Sequence, residues 1–232
     1  MLRVERVGRA VVRFQNGDAA LVLGGSFADL PVARAASLPR GALHFDPATG
    51  LFGFTIRNPD LSTALRTALS LAIDRDRIVA ALGAPGQAKA TTIAGSAIEP
   101  PLVERRAAAL ALLAGQSPHI RVAMPRSPGA RLLFALAAQA WAQVGISAEM
   151  VAPDARDADL ALVDRVAAPG TLATLACALS AGCNPNDRMA LINPPFIPVA
   201  APVRWSLVAP GLDLFTENGL SAHPLDQLRA RR

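Results

Sequence analysis

Residues 61–83 read LSTALRTALSLAIDRDRIVAALG. Apolar residues recur at Leu61, Ala64, Leu65, Ala68, Leu69, Ala72 and Ile73. Steps of three and four place them on one face of a helix. Arg66 and Ser70 fall on the other side. The run Asp74-Arg75-Asp76-Arg77 interrupts the pattern, and Ile78, Val79, Ala81 and Leu82 resume it. A short acid at Asp74 can accept hydrogen bonds from the free N–H groups that open a second helix. Gly83 tolerates the left-handed backbone with which a helix often stops. The stretch predicts two helices joined at Asp74.

Upstream, residues 9–24 carry two apolar runs around Asn16-Gly17-Asp18, a strong turn signal. The first run suits a strand or a helix end, and the second, at 19–23, suits a strand. Gly24-Gly25-Ser26 lacks the spacing of a phosphate-binding loop and reads as a strand-to-helix turn. A short helical patch lies within 27–40. Residues 41–58 read as one extended strand with Leu51, Phe52, Phe54 and Ile56 as its apolar core. Asp46-Pro47 and Thr49-Gly50 supply a turn just before that core.

Downstream, 84–101 is rich in Gly, Pro, Thr and Ala and reads as a loop. Residues 103–114 suit a helix and 119–124 a strand. Ser127-Pro128 opens the next helix, with Ser as cap and Pro in the first turn, and Gly145 closes it. Strands are expected at 146–151 and 159–163, then helix or loop at 169–179. Strands alternating with helices and glycine stops predict an α/β protein.

The chain has 232 residues, 52% of them hydrophobic, enough for a sizeable core. No run approaches the roughly 18 apolar residues of a membrane helix, so no transmembrane segment is expected. The opening MLRVERVGRAVVRF is interrupted by charge and does not read as a secretory signal. The formal charge is +5, yet Lys89 is the only lysine and the arginines are dispersed. Aromatic content is 4% with no tyrosine. Both features argue against a nucleic-acid partner, which wants clustered cations and stacking rings.

Several phrases are similar to those of bacterial extracellular solute-binding proteins of family 5, the oligopeptide- and dipeptide-binding components of ABC importers. Leu65-Arg66, Ala68-Leu69, Ala72-Ile73-Asp74-Arg75 and Ile78-Val79 resemble that family's opening helix segment. The run Ala138-Gln139-Ala140-Trp141-Ala142-Gln143-Val144-Gly145-Ile146 resembles a later helix-to-strand passage. Asp157-Ala158-Asp159-Leu160-Ala161-Leu162 and Pro195-Phe196-Ile197-Pro198-Val199 resemble two of its strands. These matches occur in the family's order, from about Gly17 to Leu228, and correspond to its later half.

The resemblance implies a periplasmic-binding-protein-like (type II) two-lobed α/β fold, truncated at the N-terminal side. Residues 1–50 would be the remnant of the first lobe. Residues 51–206 would form the second, with hinge strands at 51–58 and 196–206, and 207–232 would return to the first. The implied function is capture of a peptide or similar solute between the lobes and delivery to a permease, in the periplasm, without chemistry and without cofactor. The alternatives are the sensing domain of a cytosolic transcriptional regulator and a non-functional truncated remnant. The family's long helix before the returning strand is reduced here to 184–191, and Thr55 stands where many members place Asn.

Candidate site residues follow from what an extended solute needs: polar partners, a counter-charge and an apolar cleft. Phe52, Phe54 and Arg57 on the outgoing strand, with Asn184 and Asp187 near the shortened helix, are the candidates. The two phenylalanines equally suit core packing. Arg66, Asp74 and Arg75 are read as structural hallmarks. Cys177 and Cys183 would be free thiols in the cytosol or a small disulfide loop after export, and the resemblance favours the bridge. His44, His119 and His223 are scattered, so no metal site is expected. No G-x-S-x-G turn is present, so no catalytic residue is assigned. Asp154, Asp157 and Asp159 read as a solvated turn.

Overall fold

The structure is a computed structural model describing residues 2–93, 95–188 and 195–230. Helix α1 (Val7–Gln15) leads into strand β1 (Leu21–Ser26) and helix α2 (Leu30–Ala35). Strands β2 (Leu43–Asp46) and β3 (Gly50–Ile56) follow, then helices α3 (Thr63–Ala72), α4 (Arg75–Leu82) and α5 (Leu102–Leu113). Strand β4 (His119–Ala123), helix α6 (Pro128–Ala142) and strands β5 (Ser147–Val151) and β6 (Leu160–Val166) form the next unit. Helix α7 (Leu172–Ala178) and strands β7 (Phe196–Ala200) and β8 (Arg204–Val208) complete it.

The strands form a five-stranded sheet in the order β5-β4-β6-β3-β7 and a three-stranded sheet in the order β1-β8-β2. A two-residue pairing joins Leu212–Asp213 to Arg229–Ala230. In the larger sheet β4 runs parallel to β5 and β6, while β3 runs antiparallel to β6 and β7.

The chain crosses between the sheets twice. Residues 41–58, expected as one strand, are two: β2 pairs with β8 in the smaller sheet and β3 with β6 and β7 in the larger. The break falls at Pro47-Ala48-Thr49, because Pro47 offers no N–H to continue a ladder. Residues 196–206, expected as one hinge strand, divide likewise at Ala201-Pro202-Val203. The change of sheet thus comes before Arg204 rather than at 206, since Arg204 already pairs with Ser26 and Asp46.

Local signals position the helices around the larger sheet. Ser62 Oγ accepts from Leu65 N–H at 3.2 Å to open α3, and Asp74 Oδ1 accepts from Arg77 N–H at 3.0 Å to open α4. Gly83 stops α4 at φ 64°, with its N–H on Val79 O. Ser127 caps α6. Residues 7–15, ambiguous in sequence, are helix α1. Gly24-Gly25-Ser26 is not a strand-to-helix turn: it continues β1 through an irregularity between Val22 and Gly25. A β-carbon on Gly25 would sit 2.1 Å from the Trp205 ring, so the strand needs glycine there.

Strand β3 is covered on both faces. Phe52, Phe54 and Ile56 point into the main core, with Phe52 against Phe27 (centroids 4.7 Å apart) and Phe54 against Trp141 (5.5 Å). On the opposite face Leu51 packs with Val163, Leu172, Ala176 and Phe196. Each such fully buried large side chain contributes about 1.5–3 kcal/mol. The main core is continuous: Val11, Phe14, Trp205 and Leu207 from the smaller unit join Leu69, Leu133 and Trp141 from the larger. Gly129 makes this docking possible, since its N–H bonds Ala28 O at 2.8 Å and an added β-carbon would meet Phe27 O at 2.0 Å.

Candidate ligand-binding site at the sheet junction

A cavity of about 610 Å³ lies where the two crossings meet. The β2–β3 turn, the β7–β8 turn and the loop after α4 wall it, through Phe45, Asp46, Gln87, Val203, Arg204 and Glu217 among others. Gln87 donates its Nε2 to Ala201 O at 2.8 Å. Its Oε1 is buried and accepts nothing among the described residues. A buried acceptor without a donor costs about 1–3 kcal/mol.

Arg204 stands at the start of β8 and reaches across to β6. Its Nη1 donates to Asp164 Oδ1 at 2.8 Å and Oδ2 at 3.0 Å, with both side chains largely buried. Burial pushes the Asp164 carboxyl above its ordinary value, and Arg204 opposes that rise. The pair bolts the two sheets together beside the cavity.

The outer wall is a strap, residues 213–224. Asp46 anchors it, accepting from Asn218 N–H (3.0 Å), Ser221 Oγ (2.6 Å) and His223 Nε2 (3.0 Å). Phe215 stacks on His223 with centroids 4.5 Å apart and tilts against His44 at 5.2 Å. His44 Nδ1 lies 3.1 Å from Glu217 Oε1. Ser221 and His223 share the same carboxylate oxygen, so the hydroxyl donates to Asp46 rather than to an imidazole. That order does not activate a nucleophile. What the junction can do is enclose a solute without bonding to it.

The expected ligand residues do not converge on this cavity. Phe52 and Phe54 are 1% and 0% exposed and serve the core. Arg57 is exposed just beyond β3, its N–H on Asp159 O at 2.8 Å. Asn184 is exposed and accepts from Asn186 N–H in a local turn, and Asp187 N–H bonds Asn184 O. Residues 189–191 of the shortened helix lie outside the described residues. Thr55 turns away from any cleft, within reach of Leu179 O (2.9 Å) and Ser180 Oγ (2.6 Å).

The hallmark residues hold the helices. Arg66 donates to Leu61 O and Pro59 O at the start of α3. Arg75 is 1% exposed, and its guanidinium donates to Ala90 O, Pro198 O, Ser70 O, Ser70 Oγ and Glu99 Oε1. Burial pulls its pKa down from the ordinary value, with Glu99 opposing. Cys177 and Cys183 form a disulfide at the end of α7. The aspartates after β5 are not all a solvated turn. Asp159 accepts from Asn58 Nδ2 and Arg121 N–H, both at 2.8 Å, and fixes the entry to β6.

Gln87, Arg204, Asp164 and the Asp46 cluster were not expected at the site. Asp164 did carry a signal: a single acid inside the apolar run of residues 160–163 and Val166 asks for a buried counter-charge.

No protein-family model matches the sequence, and no curated protein matches it. Solved structures do share its shape. Haemophilus influenzae OppA in complex with RPPGFSPFR aligns with a TM-score of 0.72 at 15% identity, covering 100% of this chain and 58% of that one. The Escherichia coli murein tripeptide binding protein MppA gives 0.71 at 16% identity, covering 97% and 56%. Brucella suis NikA in complex with Fe(III)-EDTA gives 0.67 at 13% identity, covering 98% and 61%. The chain thus spans a little over half the length of the structures it matches. It has the mixed α/β substrate-binding-protein fold of these neighbours, over part of their length.

Proposed function

We propose that the chain is the later part of a substrate-binding component of an ABC importer. It captures a peptide or similar solute at the sheet junction for delivery to a membrane permease. The observation that carries this reading is the double crossing, β2 to β3 and β7 to β8, meeting at a cavity of about 610 Å³ with an unsatisfied acceptor in its wall. Residues 1–50 and 204–232 then belong to a first lobe and 51–203 to a second, the boundary falling before β8. Closure is selection of a closed state that the solute binds better. The Cys177–Cys183 disulfide supports the periplasm over the cytosol, because disulfides persist in oxidising compartments. The NikA complex with Fe(III)-EDTA supports keeping the solute class wider than peptides.

Titration with pooled di- to pentapeptides tests the reading through thermal unfolding. A ligand at about 100 times its Kd stabilises by roughly 2.7 kcal/mol, a rise of several degrees. Gln87→Ala is expected to weaken the response. A flat melting curve with every pool, in a chain whose circular dichroism shows it folded, would sink peptide capture by this chain.

A further inference from the structure

A second cavity, of about 220 Å³, lies between α4, α5 and α6. It shares no residue with the junction cavity. Arg77, Arg106, Gln139, Gln143 and Asp74 supply its polar lining. Among the described residues neither Arg77 nor Arg106 meets a side-chain acceptor, and Arg106 Nε is buried without a partner. Asp74 uses Oδ1 to cap α4 and makes no ion pair there. Two guanidinium charges therefore face one carboxylate, and the lining is net positive.

Neighbouring arginines make the contrast plain. Arg75 and Arg105 are buried in the same helix layer, and both reach Glu99 and backbone carbonyls, although Arg105 Nε, like Arg106 Nε, has no partner among the described residues. Arg106 and Arg77, one and two positions along, line an open pocket. An isolated guanidinium with a buried N–H gains a charge-assisted bond from any oxyanion that enters. The two glutamine amides add neutral donors that suit the same guest. The apolar part of the wall is only Leu136 and Ala140, too little for an apolar ligand.

We propose that this pocket binds a small oxyanion, a phosphate or a carboxylate. It is held between Arg77 and Arg106, with Gln139 and Gln143 as further donors. The site is separate from solute capture and does not depend on it: it bears on how α4, α5 and α6 are pinned together at the pocket mouth.

The test is thermal unfolding of the purified chain against inorganic phosphate and against acetate, with sodium chloride at matched ionic strength as the reference. The expected result is a saturable rise in Tm with at least one oxyanion and none with chloride. Arg106→Gln and Arg77→Gln should each weaken the apparent affinity about tenfold. Arg131→Gln, an exposed change elsewhere on α6, should leave it unchanged. Melting points without added anion show whether each variant is folded, and isothermal titration calorimetry of folded variants gives the affinity directly. An equal response to chloride overturns the proposal. So does an undiminished phosphate and acetate response in a folded Arg77→Gln/Arg106→Gln double variant. Loss of peptide binding at the junction would leave both of these readouts intact.

Discussion

In the five-stranded sheet, β3 lies between β6 and β7 with its side chains buried on both faces. In the three-stranded sheet, β8 is buried, but its flanking strand β1 leaves Leu23 and Gly24 exposed and β2 is only half-buried along most of its length. The larger sheet is held by apolar burial with one charged hub, Arg75, drawing α3, α4 and β7 together. The smaller is held by polar ties to distant sequence: the Arg204–Asp164 pair, the Asp46 cluster and the strap it anchors. A region covered on both faces resists losing one contact. A region covered on one face depends on a few directional bonds, and the junction cavity sits in that second kind of structure.

Arg75→Ala strikes the larger region hardest. It leaves Glu99 facing Arg105 alone and several buried carbonyls without a donor. Breaking a buried charge pair from one side costs about 3–5 kcal/mol, and urea unfolding followed by tryptophan emission should show a loss of that size. Trp141 lies in the larger region and Trp205 in the smaller. A Trp205→Phe background therefore reports the first and Trp141→Phe the second. If the two backgrounds lose stability equally, the shared core makes them one cooperative unit. A loss confined to Trp141 would separate them.

Arg204→Met sharpens the comparison through pH. Burial raises the Asp164 carboxyl from its ordinary value of 3.8, and Arg204 opposes that rise. The stability this group contributes is full below that value and is lost as pH rises through the folded pKa. Without Arg204 the folded pKa climbs further. The variant should lose about 3 kcal/mol at about pH 7 and distinctly less at about pH 4. A loss that does not change with pH would show that Asp164 stays protonated or finds another partner.

Gly25→Ala tests the close approach of β1 to Trp205. Overpacking of this kind costs about 1–3 kcal/mol, and the Trp205 emission should shift. An unchanged spectrum with unchanged stability would mean that β1 moves aside freely. His223→Ala is the mildest change. It removes one of three donors to Asp46 and the ring stacked on Phe215, for about 1 kcal/mol. Hydrogen exchange should quicken at 213–224 and stay unchanged in β3 and β6. Faster exchange throughout the larger sheet would show that the strap supports more than the smaller one.

The sequence made some features legible and hid others for a physical reason. Ser62, Asp74, Gly83 and Ser127 act on groups three or four residues away, so their roles could be read from spacing. The apolar face of β3 and the order of elements were readable in the same way, and they led to the fold. The site was not. Asp46 finds its partners 172, 175 and 177 residues along the chain, and Arg204 finds Asp164 at a separation of 40. Gln87 is one polar residue in an unpatterned loop, and only the folded turn at Ala201 shows which of its atoms is left over. Phe52 and Phe54 were placed on the right strand, and the helices behind it claim them for the core.

The strand order has one more consequence, for how the chain is made. Among the described residues β1 and β2 do not pair with each other; each pairs with β8, which lies between them. A ribosome delivers Leu21–Ser26 and Leu43–Asp46 long before Arg204–Val208. Until β8 is made those two strands wait with their backbone hydrogen bonds open to water or to other chains. Pairings of such long sequence separation form slowly, and unpaired edges of this kind are where growing chains aggregate. The smaller sheet is therefore the stretch on which a holding chaperone would act, and its vulnerability ends when β8 slots between its two neighbours.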